Sequence, residues 1–363
     1  MIQTRASSGL KLCLMCYPYY PSRTTGKGLD RYTFELQQNI ARVRPDTTLR
    51  LLHQGFFQGV LPAARKLFAF IADLLFTKAE VYHAISPIGG TIAAFLGKSP
   101  LVVTIHDVIP FHVSGYDYSW KYRYWRYCIK ISVKRSNAVV VPYQVTKEEL
   151  VSLFPVPDAK IHVVNYGVDH TVYYPRPAIK RAARQVLYIG EVSRSKGADA
   201  LLRAFSIVKQ RVGDAELLIG GKKSRDQPML EMLARELGLK DLTFLGYVPE
   251  DDLPRYYCSA TVMIFPSRCG FGLSTLEAMA CGTPVIVGAV LDAPEFVADA
   301  GVLVNPDDIN DLAQSIVTVL TDPVLRDQLS AKAIERARSF SWEKMARGTL
   351  EVYDGAMQAK TRR

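Results

Sequence analysis

Short apolar segments alternate with longer helix-period segments along almost the whole chain of 363 residues, and this alternation limits the possible folds. In the first half, the strand-like segments are rich in β-branched residues, as parallel strands covered on both faces are. They lie at 10–16, 48–53, 81–85, 101–105, 138–142 and 161–164. Helices are predicted at 29–43, 62–77, 89–96, 119–135 and 146–154. The pattern predicts an α/β domain with a parallel sheet.

A second series begins after a proline-containing passage at 174–177, which is the predicted linker. Its strands are predicted at 186–189, 215–219, 242–245, 262–265, 284–287 and 302–304. Its helices are predicted at 196–212, 228–238, 273–281 and 308–321, with more helix to about 358. Two Rossmann-like domains are therefore expected. Because ligands bind outside the carboxyl ends of such strands, we expect a site in a cleft between the domains.

Composition limits the class of protein. With 48% hydrophobic and 22% charged residues, the chain does not have the composition of a disordered protein. It contains no apolar run long enough for a membrane span and no recognisable secretory leader, so a cytoplasmic protein is expected. Cys13 and Cys16 have the spacing of half a zinc site, but no second pair follows. Buried packing is the favoured interpretation, and no metal is expected.

The charge is unevenly distributed. Residues 1–170 hold 20 Lys and Arg against 11 Asp and Glu, whereas residues 171–363 hold 25 against 24. The basic first half suits an anionic partner, such as a membrane surface, a diphosphate-bearing acceptor or nucleic acid. Since no nucleic-acid-binding module is recognisable, nucleic acid is not an expected partner. A basic surface that serves only solubility is the alternative.

Two glycine-containing segments follow predicted strands and open helices, where backbone N–H groups can approach a phosphate. The segment 25–29 contains Gly26 and Gly28, although a flexible turn would have the same composition. The segment 189–197 carries Lys196 at a predicted helix start. Because a lysine gains nothing from the helix dipole there, an anionic partner is favoured over a solvated lysine.

The most specific segment, 264–286, has the pattern of a strand, a glycine-bearing turn, a short helix and a second strand. The N–H groups of Gly272, Leu273 and Ser274 at the start of that helix would face a diphosphate. Glu277, a turn further on, would accept hydrogen bonds from a ribose diol. An exposed helix carboxylate is the alternative for Glu277, and position alone favours it.

His106 ends a predicted strand of the first half, within the sequence Thr-Ile-His-Asp at 104–107. At that edge of a parallel sheet, a histidine ring can donate a hydrogen bond to a sugar hydroxyl. The alternative is a structural role, which is the commoner one for a lone histidine at a strand end.

The segment 264–286 resembles the signature of family 4 glycosyltransferases, F-P-S-x-x-E-G-F-G-x-x-x-x-E-A-M-A-x-G-x-P-V-I. Weaker matches follow the order of that family: 190–197 for G-x-x-x-x-x-K-G, 165–169 for P-N-G-V-D, 293–301 for P-E-x-x-x-D-A-G, and His106 with Asp107. The resemblance covers the chain almost end to end. It implies the GT-B fold, in which two Rossmann-like domains face each other across a cleft. It also implies a retaining, metal-independent transfer from a nucleotide diphosphate sugar.

By this resemblance, residues 1–172 form the acceptor-side domain and 178–340 the nucleotide-sugar-binding domain. A helix within 341–363 is expected to cross back to the first domain. The resemblance implies three catalytic-site residues, namely His106, Lys196 and Glu277. Donor-binding positions are expected at Gly26, Gly28, Gly190, Arg194, Cys269, Gly270, Phe271, Gly272, Leu273 and Ser274.

Three positions depart from the family pattern. Eight positions before Glu277 the family has a second glutamate, but this chain has Cys269, and its turn at 267–270 is one residue short. Glu191 stands where the family commonly has arginine, and Tyr166 departs from the P-N-G-V-D pattern. The first departure weakens the expected donor-sugar contact, and the second weakens the positive charge at the diphosphate. The arginine at position 194 is the candidate replacement for that charge.

The expected function is transfer of mannose or a deoxymannose to a lipid-linked or glycan acceptor in the synthesis of cell-envelope polysaccharide. A GDP-sugar is favoured over a UDP-sugar as donor, because the His-Asp-Val-Ile-Pro context at 106–110 resembles that of mannosyl-transferring members. The alternative is a degenerate member that binds a sugar nucleotide or a partner without turnover, which Cys269 and Glu191 would support.

Two predicted helices also suggest peripheral binding to an anionic membrane, at its inner face. The segment 119–135 interleaves cations with aromatic rings, and 64–76 is strongly apolar with cations at its ends. Such helices lie at membrane interfaces, although core-facing rings with solvated cations are the alternative for either helix alone. The cations of the first helix are Lys121, Arg123, Arg126, Lys130 and Lys134.

Overall fold

The computed structural model describes residues 9–18, 28–52, 63–112, 120–270 and 272–361. The chain divides into two compact units. Met1–Tyr166 and Trp342–Arg363 form the first unit, and Gly167–Ser341 form the second. The chain therefore passes between the units after Tyr166 and again after Ser341. The predicted first-domain boundary at 172 and the predicted linker at 174–177 lie inside the second unit.

The first unit is built on a parallel six-stranded sheet. Its strands are β1 (Lys11–Met15), β2 (Thr48–Leu52), β3 (Val81–Ala84), β4 (Leu101–Thr104), β5 (Ala138–Val141) and β6 (Ile161–Val163). Their spatial order is β2-β1-β3-β4-β5-β6. Every residue of β4 and β5 is buried, which explains their continuous apolar sequences. The order reverses between β1 and β3, the switch point of this sheet.

Six helices connect these strands: α1 (Gly28–Val43), α2 (Ala63–Phe76), α3 (Pro87–Phe95), α4 (Ile109–His112), α5 (Trp120–Arg135) and α6 (Gln144–Leu153). α1 buries Tyr32, Leu36 and Ile40, which share one face at a spacing of four residues. α3 begins at Pro87 because the Ser86 side chain accepts a hydrogen bond from the third N–H of the helix.

The second unit is a parallel six-stranded sheet with a different strand order. Its strands are β7 (Gln185–Ile189), β8 (Glu216–Gly220), β9 (Leu242–Gly246), β10 (Val262–Phe265), β11 (Val285–Gly288) and β12 (Val302–Val304). They lie in the order β12-β11-β10-β7-β8-β9, so the switch point falls between β7 and β10. All twelve predicted strands are present, each with its ends within one residue of the prediction.

The helices of the second unit are α7 (Ala198–Arg211), α8 (Gln227–Glu236), α9 (Leu253–Ser259), α10 (Leu273–Ala280), α11 (Ala293–Val297), α12 (Ile309–Thr321) and α13 (Pro323–Arg338). α9 and α11 were not predicted, because seven and five residues are too few to establish a helix period. Within the described part of the chain, no helix combines the length and the apolar character that crossing a membrane requires.

The last helix, α14 (Trp342–Thr361), belongs to the first unit. It packs beside α1, where the Arg44 guanidinium forms an ion pair with Asp354 at 2.9 Å. Its Tyr353 is buried and its hydroxyl lies 2.6 Å from Nδ1 of His83 in β3. These contacts fix α14 to both a helix and a strand of the first unit.

Candidate active site

The carboxyl ends of β7 and β10 are neighbours in the second sheet, where Leu187 pairs with Met263. After β7 the chain forms a loop at 190–197 that leads to α7. After β10 it forms a turn at 266–270 that precedes α10. Ligands of open parallel sheets bind at such a switch point, so the 190–197 loop and the 266–270 turn form the candidate donor site.

Arg268 ties the 266–270 turn to the 190–197 loop. Its backbone N–H donates to the carbonyl oxygen of Ser195 at 3.0 Å, and its guanidinium donates to that of Arg194 at 2.6 Å. The guanidinium also forms ion pairs with Asp199 at 2.8 Å and Asp307 at 2.6 Å. Asp199 lies in the first turn of α7, where the helix dipole favours a negative charge. Arg268 therefore fixes the turn against the start of α7.

Lys196 connects the same two segments. It lies two residues before α7, outside the helix that was predicted to begin there, because Gly197 is the cap residue. The Lys196 ammonium donates to the carbonyl oxygen of Cys269 at 2.9 Å, and the Ser267 hydroxyl donates to the same oxygen at 2.8 Å. Lys196 is half-buried, so its positive charge lies at the junction of the loop and the turn.

Glycines permit this close approach. Gly197 has a φ of 76°, and a Cβ there would overlap the carbonyl oxygen of Pro266. A Cβ on Gly190 would lie 2.9 Å from the Phe265 ring. A side chain at Gly197 would push the loop away from the turn, and a side chain at Gly190 would displace the Phe265 ring of β10. Gly190, a predicted donor-binding residue, is therefore required for packing whether or not it contacts a ligand.

The N-terminus of α10 lies beside the junction of the 190–197 loop and the 266–270 turn. Gly272 is the cap residue and brings no side chain of its own to the first N–H groups. Leu273 and Ser274 supply two of these groups, which have no acceptor within an α-helix. Gly272, Leu273 and Ser274 are all half-buried. Their N–H groups and the helix dipole together favour an anionic ligand.

Glu277 is buried, so the exposed alternative that its position favours is wrong. Its side chain is 4% exposed, because α9 packs against this face of α10. The Tyr257 hydroxyl of α9 donates to Oε2 of Glu277 at 2.8 Å. Burial, with the nearby Glu277 carboxylate, raises the pKa of Tyr257 well above its usual value, so the phenol remains a donor. The carboxylate is held in one orientation.

Three other predicted donor-binding residues contribute to this region in different ways. The Cys269 thiol is half-buried and donates to the carbonyl oxygen of Ser195 at 3.5 Å, a weak hydrogen bond. Gly270 has a φ of 63°, which places it in a turn conformation that favours glycine. Arg194 is exposed and contributes its main chain to the loop, where its N–H donates to Asp226 at 2.9 Å.

His106 follows β4 in the first unit, and both of its ring nitrogens have protein partners. Nε2 lies 3.0 Å from the carbonyl oxygen of Ile85, and Nδ1 lies 2.7 Å from the Tyr166 hydroxyl. Because a carbonyl only accepts, Nε2 carries the proton and Nδ1 accepts from Tyr166. Burial lowers the pKa of His106 to about 4, so the ring is neutral. To accept a hydrogen bond from the Nε2–H group of His106, a sugar hydroxyl would have to take the place of the Ile85 carbonyl oxygen.

A buried hydrogen-bond chain lies beside His106. The Tyr32 ring packs edge-on against His106 at 4.8 Å, and its hydroxyl lies 3.3 Å from Oγ1 of Thr104. Thr104 Oγ1 is 2.8 Å from Nε2 of His83, whose Nδ1 contacts Tyr353. Burial lowers the pKa of His83 to about 3. This neutral chain links α1, β4, β3 and α14.

Other predicted positions lie elsewhere or outside the described residues. Gly26 and Phe271 are outside them, and Gly28 is the exposed first residue of α1. In the described ranges, no group of three or more His, Cys, Asp or Glu side chains is arranged to hold a metal ion. Cys13 and Cys16 are buried, as the packing interpretation expects, and burial raises the pKa of Cys13 to about 12.

No sequence pattern pointed to Arg268, Tyr257 or Asp199. Each acts through a partner from another part of the chain, such as the Glu277 carboxylate for Tyr257. The sequence indicates Arg268 only in that an arginine lies within the segment 264–286. In the sequence Tyr166 is only a departure from a motif, whereas in the structure its hydroxyl is a partner of His106.

The helices predicted to bind a membrane present apolar and basic groups on the first unit. Trp120, Tyr124 and Tyr127 are exposed on α5, and the helix period places them on one stripe. The adjacent stripe holds Arg123, Lys130 and Lys134, which are also exposed. Arg126 is an exception to the predicted set, because it donates to the carbonyl oxygen of Pro110 at 2.5 Å and lies over the Phe111 ring.

α2 adds exposed apolar side chains to the first unit. Phe68 and Phe76 are 71% and 84% exposed. Phe70, on the buried side of α2, packs against Tyr17 with ring centroids 5.1 Å apart. We call the exposed side chains of these two helices together the α2–α5 surface.

Two protein-family models match the chain. The model described as "Glycosyl transferases group 1" matches residues 183–322, and the model described as "Glycosyltransferase Family 4" matches residues 23–172. The first match lies within the second unit, and the other covers most of the first.

Similar proteins include transferases with different substrates. The chain is 27% identical to the O-antigen chain mannosyltransferase B of Escherichia coli over 367 residues, covering 90% of this chain and 95% of that one. It is 35% identical to the D-inositol 3-phosphate glycosyltransferase of Kribbella flavida over 230 residues, covering 58% and 54%. The chain thus spans about half the length of this second relative.

Solved structures share the fold of the whole chain. Sucrose-phosphate synthase from Thermosynechococcus elongatus has a TM-score of 0.83 at 22% identity, covering 96% of this chain and 100% of that one. WaaG, a glycosyltransferase involved in lipopolysaccharide biosynthesis, has a TM-score of 0.74 at 16% identity, covering 95% and 99%. These similarities confirm the predicted GT-B fold.

Proposed function

Because the chain belongs to the group 1 and family 4 glycosyltransferases, which are nucleotide-sugar-dependent enzymes, we propose that it transfers mannose or a deoxymannose from a GDP-sugar. The acceptor is a glycan or lipid-linked saccharide of the cell envelope. The similarity to an O-antigen chain mannosyltransferase supports this sugar and this class of product. The observation that carries the proposal is the position of Lys196 against Cys269, beside the start of α10.

The donor diphosphate would bind at that junction. The Lys196 ammonium would exchange the carbonyl oxygen of Cys269 for a phosphate oxygen, and the N–H groups of Leu273 and Ser274 would donate to the same group. These donors would stabilise the charge that develops on the diphosphate as it leaves. Glu277, oriented by Tyr257, would accept hydrogen bonds from the ribose hydroxyls.

We propose a retaining and metal-independent transfer in which the acceptor attacks from the side on which the diphosphate leaves. Such a displacement requires positioning and charge stabilisation, and it requires no carboxylate nucleophile. At the position of the family glutamate this chain has Cys269, whose thiol donates to Ser195. His106 would position the transferred sugar. The anomeric configuration of the product, read by NMR, tests the stereochemical part of this proposal.

The α2–α5 surface supports peripheral binding to an anionic membrane at its inner, cytoplasmic face. Exposed aromatic rings beside exposed cations suit the boundary between headgroups and acyl chains. Each cation near an anionic surface contributes about 1 kcal/mol. Binding there would bring a lipid-linked acceptor to the protein, which explains why the basic excess lies in the first half of the chain.

A donor panel tests the proposed activity. We expect thermal stabilisation of the full chain by GDP-mannose or a GDP-deoxymannose and weaker stabilisation by UDP-glucose. A donor at 100 times its dissociation constant stabilises by about 2.7 kcal/mol. Transfer of labelled sugar to glycolipid extracts is then measured. Stabilisation by UDP-sugars alone would exclude the GDP-sugar assignment. Binding without transfer across all donors and acceptors would support the degenerate alternative instead.

A further inference from the structure

We propose that Tyr166 is a positioning residue for the transfer reaction, because its hydroxyl holds the His106 ring in one tautomer and one orientation at the end of β4. The inference rests on the proposed function for the part that His106 plays in transfer. The arrangement itself lies entirely within the first unit.

The two hydrogen-bond partners of His106 require one ring nitrogen to donate and the other to accept. The Ile85 carbonyl oxygen, 3.0 Å from Nε2, requires an N–H. The Tyr166 hydroxyl, 2.7 Å from Nδ1, supplies a proton to the remaining lone pair. Together they select the neutral tautomer that is protonated at Nε2. Without the hydroxyl, Nδ1 would be a half-buried acceptor that has lost its donor, and this loss would favour other ring orientations.

Neighbouring rings hold Tyr166 in place. Its ring stacks on His106 at an interplanar angle of 25° and a centroid distance of 6.0 Å. Tyr32 and Tyr143 pack edge-on against it at 5.6 and 5.9 Å, and both are buried. The hydroxyl therefore cannot leave Nδ1 without movement of packed side chains. If a sugar hydroxyl replaces the Ile85 carbonyl oxygen as the acceptor at Nε2, Tyr166 still holds the His106 ring in the same orientation.

Three forms of the full chain test this inference: the unmodified protein, Tyr166→Phe, and Tyr143→Phe as the matched control. The control removes a hydroxyl from a ring that packs on Tyr166. Histidine ring nitrogens are followed by 15N NMR, and the His106 signals are identified by their loss in His106→Gln. Steady-state transfer from a GDP-sugar gives kcat and the donor KM for each form.

We expect the unmodified protein to show His106 protonated at Nε2 and hydrogen-bonded at Nδ1. In Tyr166→Phe the Nδ1 signal should move towards that of a free nitrogen. There kcat should fall roughly 2- to 12-fold, the range for one lost hydrogen bond, with the donor KM unchanged. Tyr143→Phe should alter neither the Nδ1 signal nor kcat.

An unchanged Nδ1 signal in Tyr166→Phe overturns the inference, and so does a changed signal with unchanged kcat. An equal loss in Tyr143→Phe also overturns it, because the effect would then come from packing. Absence of turnover in the unmodified protein refutes the proposed function instead, and the NMR comparison still decides whether Tyr166 sets the tautomer.

Discussion

The Lys196 ammonium lies 2.9 Å from the carbonyl oxygen of Cys269, although the two residues are 73 positions apart in the chain. The contact joins the loop after β7 to the turn after β10, the two strands on either side of the switch point. A carbonyl oxygen attracts an ammonium less strongly than a phosphate oxygen does. The contact therefore holds a positive charge at the place where the proposed donor diphosphate would bind.

Replacing Lys196 should weaken donor binding more than folding. In Lys196→Ala a charge-assisted hydrogen bond of about 1.5–3 kcal/mol is lost, which lowers GDP-sugar affinity roughly 10- to 150-fold. Isothermal titration measures the affinity. The control is Lys209→Ala, at the far end of α7, where the ammonium also donates to a backbone carbonyl, that of Ala215 at 3.1 Å. Unchanged affinity in Lys196→Ala would exclude this residue from the site.

Arg268→Ala should loosen the 266–270 turn without unfolding the second unit. Its partner Asp307 is exposed, and that ion pair contributes at most about 1 kcal/mol. Donor affinity should nevertheless fall about fivefold, as expected when about 1 kcal/mol of positioning is lost. Arg184→Ala breaks the ion pair with Asp214 elsewhere in the unit and serves as the control. Equal losses of affinity in both variants would show that Arg268 has no specific role.

The strands were predictable from sequence because a parallel strand covered on both faces must be apolar throughout. All four residues of β5, Ala-Val-Val-Val, are buried. The burial of the Glu277 carboxylate could not be predicted in the same way. Glu277 lies in a short helix whose pattern suits an exposed side chain, and its burial comes from Tyr257 on α9, twenty positions earlier. Since α9 has only seven residues, no periodicity indicated the helix that covers Glu277.

Long-range polar contacts were also beyond sequence reasoning. The hydrogen bond between His106 and Tyr166 joins residues 60 positions apart, and no spacing rule relates them. The sequence indicates the aromatic and basic residues of α5 but not which of them are exposed. Arg126 packs over Phe111, whereas Arg123 on the same helix is exposed. Periodicity identifies a stripe, and tertiary packing decides which stripe reaches solvent.

Membrane binding is tested by changing Lys121, Arg123 and Lys130 to Gln together. Three cations at about 1 kcal/mol each give a reduction of roughly 100-fold in binding to vesicles that contain phosphatidylglycerol. Sedimentation at low and high salt measures it, and binding of the unmodified protein should weaken as salt rises. No vesicle binding at low salt would exclude the interfacial role.

The matched control for this variant changes three exposed cations of the second unit to Gln. They are Arg203, Lys240 and Arg255. Their removal lowers the net charge by the same amount, but we expect vesicle binding to fall much less. Equal losses in the two triple variants would show that total charge, rather than the α2–α5 surface, determines binding.

Glu277→Gln should weaken nucleotide binding strongly, whereas Cys269→Ala should have a small effect. Gln keeps an acceptor for the Tyr257 hydroxyl but removes the charge that would bind the ribose diol, a loss of roughly 10- to 150-fold. The Cys269 thiol makes only a weak hydrogen bond at 3.5 Å. Titration with GDP and 2′-deoxy-GDP separates the roles. If Glu277→Gln weakens both nucleotides equally, Glu277 does not bind the 2′-hydroxyl.

Acid should destabilise the first unit through His83. The pKa of His83 is lowered to about 3 by burial, whereas an unfolded histidine titrates near 6.5. The unfolded chain therefore binds more protons between these values, and the free energy of unfolding falls as pH decreases from about 6.5, by about 2 kcal/mol at pH 5.

Urea unfolding is followed by tryptophan fluorescence, since Trp120, Trp125 and Trp342 all belong to this unit. His83→Gln should be less stable at pH 7.5 but less sensitive to acid, with the remaining pH dependence arising from residues such as His106, whose pKa is also lowered. An unchanged pH dependence in His83→Gln would show that His83 is not the group responsible.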